Sequence, residues 1–187
     1  AYSGYKGFGY VRTFSIASDG STIQQLAELK FDDEDARMID IEQVASDVFV
    51  LAYTGRSNDG FITTIKVSAD GKTITQPKKI EHDTANAAGS RLIKVDSDTY
   101  ALYYYSDGTY VKTFDIPADG STITEVAKVK SPNSISIGTV YMGDFIKSDQ
   151  GFYIAASTYG NNTYVTTWTI SDDGKTIAQN KLIKKED

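Results

Sequence analysis

Short runs in which aromatic and β-branched residues alternate with polar ones recur along this chain, and one of them is written four times. Tyr10-Val-Arg-Thr-Phe-Ser-Ile16 leads through Ala-Ser-Asp-Gly-Ser-Thr to Ile23, and the same form returns at Phe61–Ile74, Tyr110–Ile123 and Tyr164–Ile177. Alternation of this kind predicts strands, because successive side chains of an extended backbone point to opposite faces. Between the strands stand Asp19-Gly20, Asp70-Gly71, Asp119-Gly120 and Asp173-Gly174. These read as structural turn residues, since glycine accepts the positive φ that a hairpin turn demands. The four aspartates lie 51, 49 and 54 residues apart.

A second hairpin precedes each Asp-Gly hairpin from the second unit onward. Met38–Val44 and Val48–Tyr53 flank Ala45-Ser-Asp47; Arg91–Val95 and Thr99–Tyr105 flank Asp96-Ser-Asp98; Val140–Lys147 and Gly151–Ala156 flank Ser148-Asp149. Each full unit is thus a four-stranded antiparallel meander, and a repeat of about 50 residues built so is the blade of a β-propeller. Strand faces agree. Tyr10, Arg12, Phe14 and Ile16 share one face, Val11, Thr13 and Ser15 the other, and neither is fully polar. A sheet with one solvated face alternates cleanly, whereas a blade between two neighbours is covered on both sides. The expected fold is all-β, a propeller of about four four-stranded blades with the first incomplete; the alternative is an open array of β-meander repeats. A single repeat domain would hold units of approximately 1–37, 38–89, 90–139 and 140–187. The repeated Thr13, Thr64, Thr113 and Thr167 are expected to serve the unit, packing or pairing between blades.

The chain opens inside a unit, since Ala1-Tyr-Ser-Gly4 matches Ala52-Tyr-Thr-Gly55. Four Asp-Gly hairpins face only three of the other kind, which leaves the Tyr10–Ile16 strand with an open edge that invites pairing. A fragment of a longer repeat protein, or one completed by self-association through the incomplete first blade, is therefore expected.

Ile80-Glu-His-Asp-Thr84 and Ile93-Lys-Val-Asp-Ser-Asp98, taken with the fourfold aromatic-Val/Ile-x-Thr unit, resemble the tandem blade repeats of extracellular β-propeller proteins from archaea and marine microbes. The resemblance covers nearly the whole chain, except that Gly138–Phe145 departs from it. It implies surface display and binding without naming a ligand.

Composition narrows the choice of partner. Hydrophobic residues make up 40% and charged residues 24% of 187, an ordinary globular balance, and 13 Tyr and 8 Phe favour strands. A net charge of −6 without a basic run speaks against nucleic acid. Absence of cysteine removes disulfide and thiolate chemistry. No apolar run is long enough to insert in a membrane, and Ala1–Gly7 does not read as a signal peptide, so an exported form would have lost its leader.

Candidate chemistry is sparse. His82 is the single histidine, between Glu81 and Asp83, with no Gly-x-Ser-x-Gly elbow beside it. The acidic Phe31–Ala36 connection lacks the spaced ligands of a calcium loop and reads as solvated. No metal or cofactor is implied. Asp40 and Glu42 on a predicted channel-lining strand, with Asp144 in the related place of the last unit, are the candidates for carboxylate catalysis, and Arg91 stands at the matching place in the middle unit. Asn161-Asn-Thr163 is a glycosylation sequon if the protein is exported. Tyr2, Tyr5, Tyr103, Tyr104, Tyr105 and Tyr159 are candidate binding rings, suited to a carbohydrate or protein ligand, although alternate tyrosines also suit a blade core. The expected function is a non-enzymatic extracellular or cell-surface binding or assembly module. The alternatives are a carbohydrate-active hydrolase using channel carboxylates and a structural subunit of a surface layer, filament or virion.

Overall fold

The computed structural model describes residues 1–132, 140–159 and 161–186. Strands β1 (Tyr2–Ser3), β2 (Gly9–Ile16) and β3 (Ile23–Asp32) form the first blade. The second holds β4 (Arg37–Ala45), β5 (Val48–Thr54), β6 (Gly60–Val67) and β7 (Ile74–Asp83). The third holds β8 (Ala88–Lys94), β9 (Thr99–Tyr105), β10 (Thr109–Asp115) and β11 (Thr124–Lys130). The fourth holds β12 (Val140–Lys147), β13 (Tyr153–Tyr159), β14 (Asn162–Ile170) and β15 (Ile177–Glu186). Within every blade each strand pairs antiparallel with the next in chain order. The architecture is thus an all-β, propeller-like arc that is not closed, with three four-stranded blades and one of three strands. Part of the irregular stretch Gly138–Phe145, and of the joint Lys130–Thr139, lies outside the described residues.

Alternation explains how one strand serves two cores. In β9, Tyr100, Leu102 and Tyr104 enter the core shared with the second blade, while Ala101, Tyr103 and Tyr105 enter the one shared with the fourth. In β5, Val48, Val50 and Ala52 face the third blade, and Leu51 and Tyr53 face the first. Each core therefore lies between consecutive blades, and β9, at the centre of the third blade, is buried on both faces.

Polar bridges repeat at the same joints. Thr13 Oγ1 donates to the Gly71 carbonyl at 2.5 Å, Thr64 Oγ1 to that of Gly120 at 2.7 Å, and Thr113 Oγ1 to that of Gly174 at 2.7 Å. Each threonine thereby reaches the Asp-Gly turn of the following blade. The turn fits because Gly120 has φ +67 and lies against Thr64, where an added Cβ would meet the threonine Cβ at 3.2 Å. The aspartate of each turn accepts the backbone N–H two residues on, at 3.0 Å for Asp19, Asp70 and Asp119 and 3.1 Å for Asp173. At the ends of the arc the bridge has only one half. Nothing lies within 4 Å of a Cβ placed on Gly20, and the Thr167 side chain has no hydrogen-bond partner among the described residues.

A second bridge joins the rim of each blade to the next. Asp32 Oδ2 accepts from Tyr53 Oη and Lys79 Nζ, both at 2.7 Å, and Asp83 Oδ2 from Tyr104 Oη at 2.6 Å and Lys128 Nζ at 3.4 Å. Burial alone would raise the Asp32 carboxyl, but the bonds from Lys79, Tyr53 and the Glu34 N–H outweigh it and hold the group below the ordinary carboxylate range. The acidic connection is accordingly not wholly solvated: Asp32 ends a strand and is buried. The last joint uses a different pair, Ser131 Oγ donating to Gln179 Oε1 at 2.7 Å.

His82 lies within β7. It is 7% exposed, edge-on to Tyr104 and Phe114, and neither ring nitrogen has a partner. Burial, reinforced by the Lys112 charge, pushes its pKa down to about 3.

Replacing Thr64 by Val strands the Gly120 carbonyl in a buried joint and should cost about 1–3 kcal/mol in denaturant unfolding. Thr167→Val, with no partner to lose, should change stability by less than about 0.5 kcal/mol. For His82, the unfolded chain takes up a proton near pH 6.5 while the folded one resists until about pH 3. Stability is therefore full above pH 6.5 and declines as pH falls through that window. His82→Leu should flatten the pH 4–6.5 part of the decline, measured as the denaturation midpoint against pH.

Candidate functional site

Strand order places β4, β8 and β12 at the inner edge of their blades, and β8 packs between the other two. Each of these strands carries a register shift, between Arg37 and Asp40, between Ala88 and Arg91, and between Met142 and Phe145. Bulges of this kind bend a strand and re-aim its side chains. Here they turn three ionisable groups onto one surface. Asp40, Arg91 and Asp144 line a pocket of about 570 Å³ together with Met38, Gly89 and Met142.

Local backbone makes the pocket. Met38 has φ +51, a left-handed conformation that costs a non-glycine residue roughly 1–2 kcal/mol. Its counterpart Gly89 has φ +67, and an added Cβ there would meet Met142 Cγ at 2.1 Å, so β12 approaches β8 only because that position is glycine.

The three groups are held differently. Asp40 Oδ2 accepts the Leu92 N–H at 2.7 Å, so its carboxylate bridges from the second blade to the third. Arg91 donates to the Ser90 carbonyl at 2.8 Å and to the Met142 carbonyl at 3.2 Å, which ties the third blade to the fourth. These partners orient the guanidinium without neutralising it, since a carbonyl carries no charge. Asp144 Oδ1 accepts its neighbour's N–H, Phe145 at 2.9 Å, and the residue is exposed to the pocket. A guanidinium beside two carboxylates can bind an anionic or carbonyl oxygen and leave a carboxylate free to move a proton.

Of the carboxylates expected from sequence, Asp40 and Asp144 come together and Glu42 does not. Glu42 lies farther along β4 and acts on Tyr100, whose pKa burial, then the Glu42 and Asp98 charges, push up to about 12. Arg91 was visible in sequence only as the residue matching Asp40 in the next unit, and its role depends on the facing strand.

The binding rings fare otherwise. Tyr103, Tyr104 and Tyr105 are 1%, 0% and 4% exposed and fill inter-blade cores, so they do not present rings to a ligand. The correction follows from alternation between two covered faces, which makes three consecutive tyrosines core. Tyr2 stacks on Tyr10 at 5.6 Å, repeating the Tyr53–Phe61 and Tyr104–Tyr110 stacks at 5.6 and 5.5 Å. Tyr5 is 81% exposed in the turn Tyr5–Gly7, and Asn161 is exposed beside β14. The Tyr159 side chain lies outside the described residues. None of the described rings lines the Asp40–Arg91–Asp144 pocket, and among the described residues no cluster of three His, Cys, Asp or Glu side chains is placed to hold a metal ion.

No protein-family model matches the chain, and no curated protein matches it. Solved structures do match. A protein from Lactobacillus plantarum superposes with a TM-score of 0.72 at 12% identity, over 96% of this chain and 52% of its own. A candidate 6-phosphogluconolactonase from Bacteroides fragilis superposes at 0.63 with 15% identity, over 93% of this chain and 51% of its own. The periplasmic gluconolactonase of Pseudomonas aeruginosa aligns at 0.47 with 10% identity, over 94% of this chain and 64% of its own, too weak a likeness to build on. The chain thus spans about half the length of the first two. Their likeness shows the propeller-like fold, while a kinship with archaeal or marine surface repeats gains no support. The expectation of a non-enzymatic binding or assembly module is corrected by the same finding, because a candidate lactonase has this fold and the chain's inner strands gather ionisable groups rather than exposed rings.

Asp40→Ala should cost about 1–3 kcal/mol by stranding the Leu92 N–H between blades. Asp144→Ala, at an exposed position, should cost less than about 0.5 kcal/mol. Urea unfolding of the two variants separates the carboxylate that holds the pocket together from the one that is free for chemistry.

Proposed function

We propose that this chain forms the channel wall of a lactonase-type hydrolase that opens a sugar-derived cyclic ester. The observation that carries the reading is the convergence of Asp40, Arg91 and Asp144, from three successive inner strands, on one open pocket. The fold shared with a candidate 6-phosphogluconolactonase supports it.

Residue roles follow from how each group is held. Asp144 has the least committed carboxylate and takes a proton from water as the water oxygen bonds to the ester carbon. The carbonyl oxygen then carries the negative charge, and the Arg91 guanidinium stabilises it. Collapse of the tetrahedral centre breaks the bond to the ring oxygen, which takes the proton from Asp144 and leaves as a hydroxyl on the opened acid. Asp40, anchored to the Leu92 N–H, accepts hydrogen bonds from substrate hydroxyls and sets the ring's orientation. The reaction differs from the glycosidase-type carbohydrate hydrolase read from the sequence: an ester is opened, Arg91 takes part and Glu42 does not.

A panel of five- and six-membered aldonolactones, with and without a phosphate, tests the proposal against spontaneous hydrolysis. Asp144→Asn should lower turnover by roughly 10²–10⁴-fold and Arg91→Ala by roughly 10²–10³-fold. A wild-type chain no faster than buffer, or an Asp144→Asn variant as fast as wild type, would remove the lactonase reading.

A further inference from the structure

The inner strands of the four-stranded blades share one register. Asp40, Arg91 and Met142 stand opposite Ala52, Tyr103 and Ser157, the fifth residues of β5, β9 and β13. Arg37 and Ala88 stand opposite the seventh residues, Thr54 and Tyr105, so Met38 and Gly89, one position on, hold the same place in their bulges. Between the third and fourth blades Met142 settles over Gly89: an added Cβ there would stand 2.7 Å from Met142 Cβ, and Met142 is 8% exposed. Between the second and third blades the matching place belongs to Met38, whose side chain denies that seat to Arg91, the counterpart of Met142. Arg91 reaches the other way and donates to the Met142 carbonyl in the fourth blade. Met38 keeps the left-handed backbone of its glycine counterpart, at φ +51 against +67. The other non-glycine residues at positive φ among those described, Lys6, Ser57, Asn58 and Asn86, lie in turns and connections, whereas Met38 lies within a strand. Burial does not account for it, since the residue is 53% exposed.

We propose that Met38 is a positioning residue: its side chain wedges Arg91 away from the second blade and holds the guanidinium out over the pocket that both residues line. Strain at a functional site persists where the surrounding structure fixes it, and here the strained residue sits beside the one group it would aim. A glycine at position 38 would free the backbone and open the seat. Arg91 would then fold back over it, as Met142 lies over Gly89, and its charge would leave the place where the ester oxygen becomes negative. A thioether suits the task because it fills space without carrying a charge, whereas a carboxylate there would pair with the guanidinium and neutralise it. The kinetic consequence rests on the part that the lactonase reading gives to Arg91. The placement of the guanidinium does not.

Met38→Gly and Met38→Leu in the whole chain test this. Phenylglyoxal labelling, read at each arginine by mass spectrometry, should slow about threefold or more at Arg91 in Met38→Gly, while Arg12 labels as in the wild type. Met38→Leu keeps the wedge and should label at the wild-type rate. The urea midpoint should rise by roughly 0.5 M in Met38→Gly, where the backbone is relieved, and stay unchanged in Met38→Leu. On the aldonolactone that the wild type opens fastest, Met38→Gly should lower kcat roughly tenfold or more with KM little changed, and Met38→Leu should restore it. Unchanged or faster labelling of Arg91 in Met38→Gly would overturn the proposal, as would equal slowing in both variants. A midpoint that falls in Met38→Gly would also overturn it, by showing that the side chain serves the fold. A wild type without turnover would remove the lactonase reading alone, because the labelling of Arg91 still decides whether Met38 positions the guanidinium.

Discussion

The hydroxyl-to-carbonyl bond between a threonine on one blade and the Asp-Gly turn of the next is the constraint on which the arc depends. A blade is a twisted sheet with two apolar faces, and apolar contact alone would let neighbouring blades slide or rotate. A directional bond of 2.5–2.7 Å to a turn carbonyl in the next blade removes that freedom at each of three joints. The turn is part of the device: glycine at positive φ brings the carbonyl within reach, and the turn aspartate caps the backbone that follows. A residue that reads as hairpin punctuation in one unit is therefore an inter-blade contact in the fold.

With the blades set, alternation divides each strand between two cores, and this division controls what is left for function. Side chains on both faces of β9 fill a neighbouring core, which removes Tyr103, Tyr104 and Tyr105 from the surface. Ionisable groups survive at the inner edge because bulges in β4, β8 and β12 break the alternation there. The pocket of Asp40, Arg91 and Asp144 is a product of irregularity in an otherwise regular repeat.

Buried polar groups give the arc its pH response. Asp32 and Asp83 stay ionised because tyrosine and lysine from the next blade reach them, and His82 stays neutral because burial, reinforced by the Lys112 charge, disfavours its cation. Both effects weaken the joints as pH falls, the histidine first and the carboxylates after it.

Local order was legible in the sequence. The fourfold strand–Asp-Gly–strand unit, the second hairpin and the deficit of strands in the first unit all follow from period-two alternation and glycine turns, which are properties of neighbouring residues. The role of Thr13, Thr64 and Thr113 was foreseeable in kind from their recurrence, and Asp40 and Asp144 from their place on inner strands. Other assignments required residues about 50 positions apart to be brought together. The partner of each threonine lies in the next blade, Asp32 is buried because Tyr53 and Lys79 cover it, and Glu42, two residues beyond Asp40 on β4, misses the pocket that Arg91 enters from the next blade. A strand's pattern shows that its side chains alternate; which face meets a core, a channel or solvent is decided by what packs against it, and that is set by tertiary structure alone.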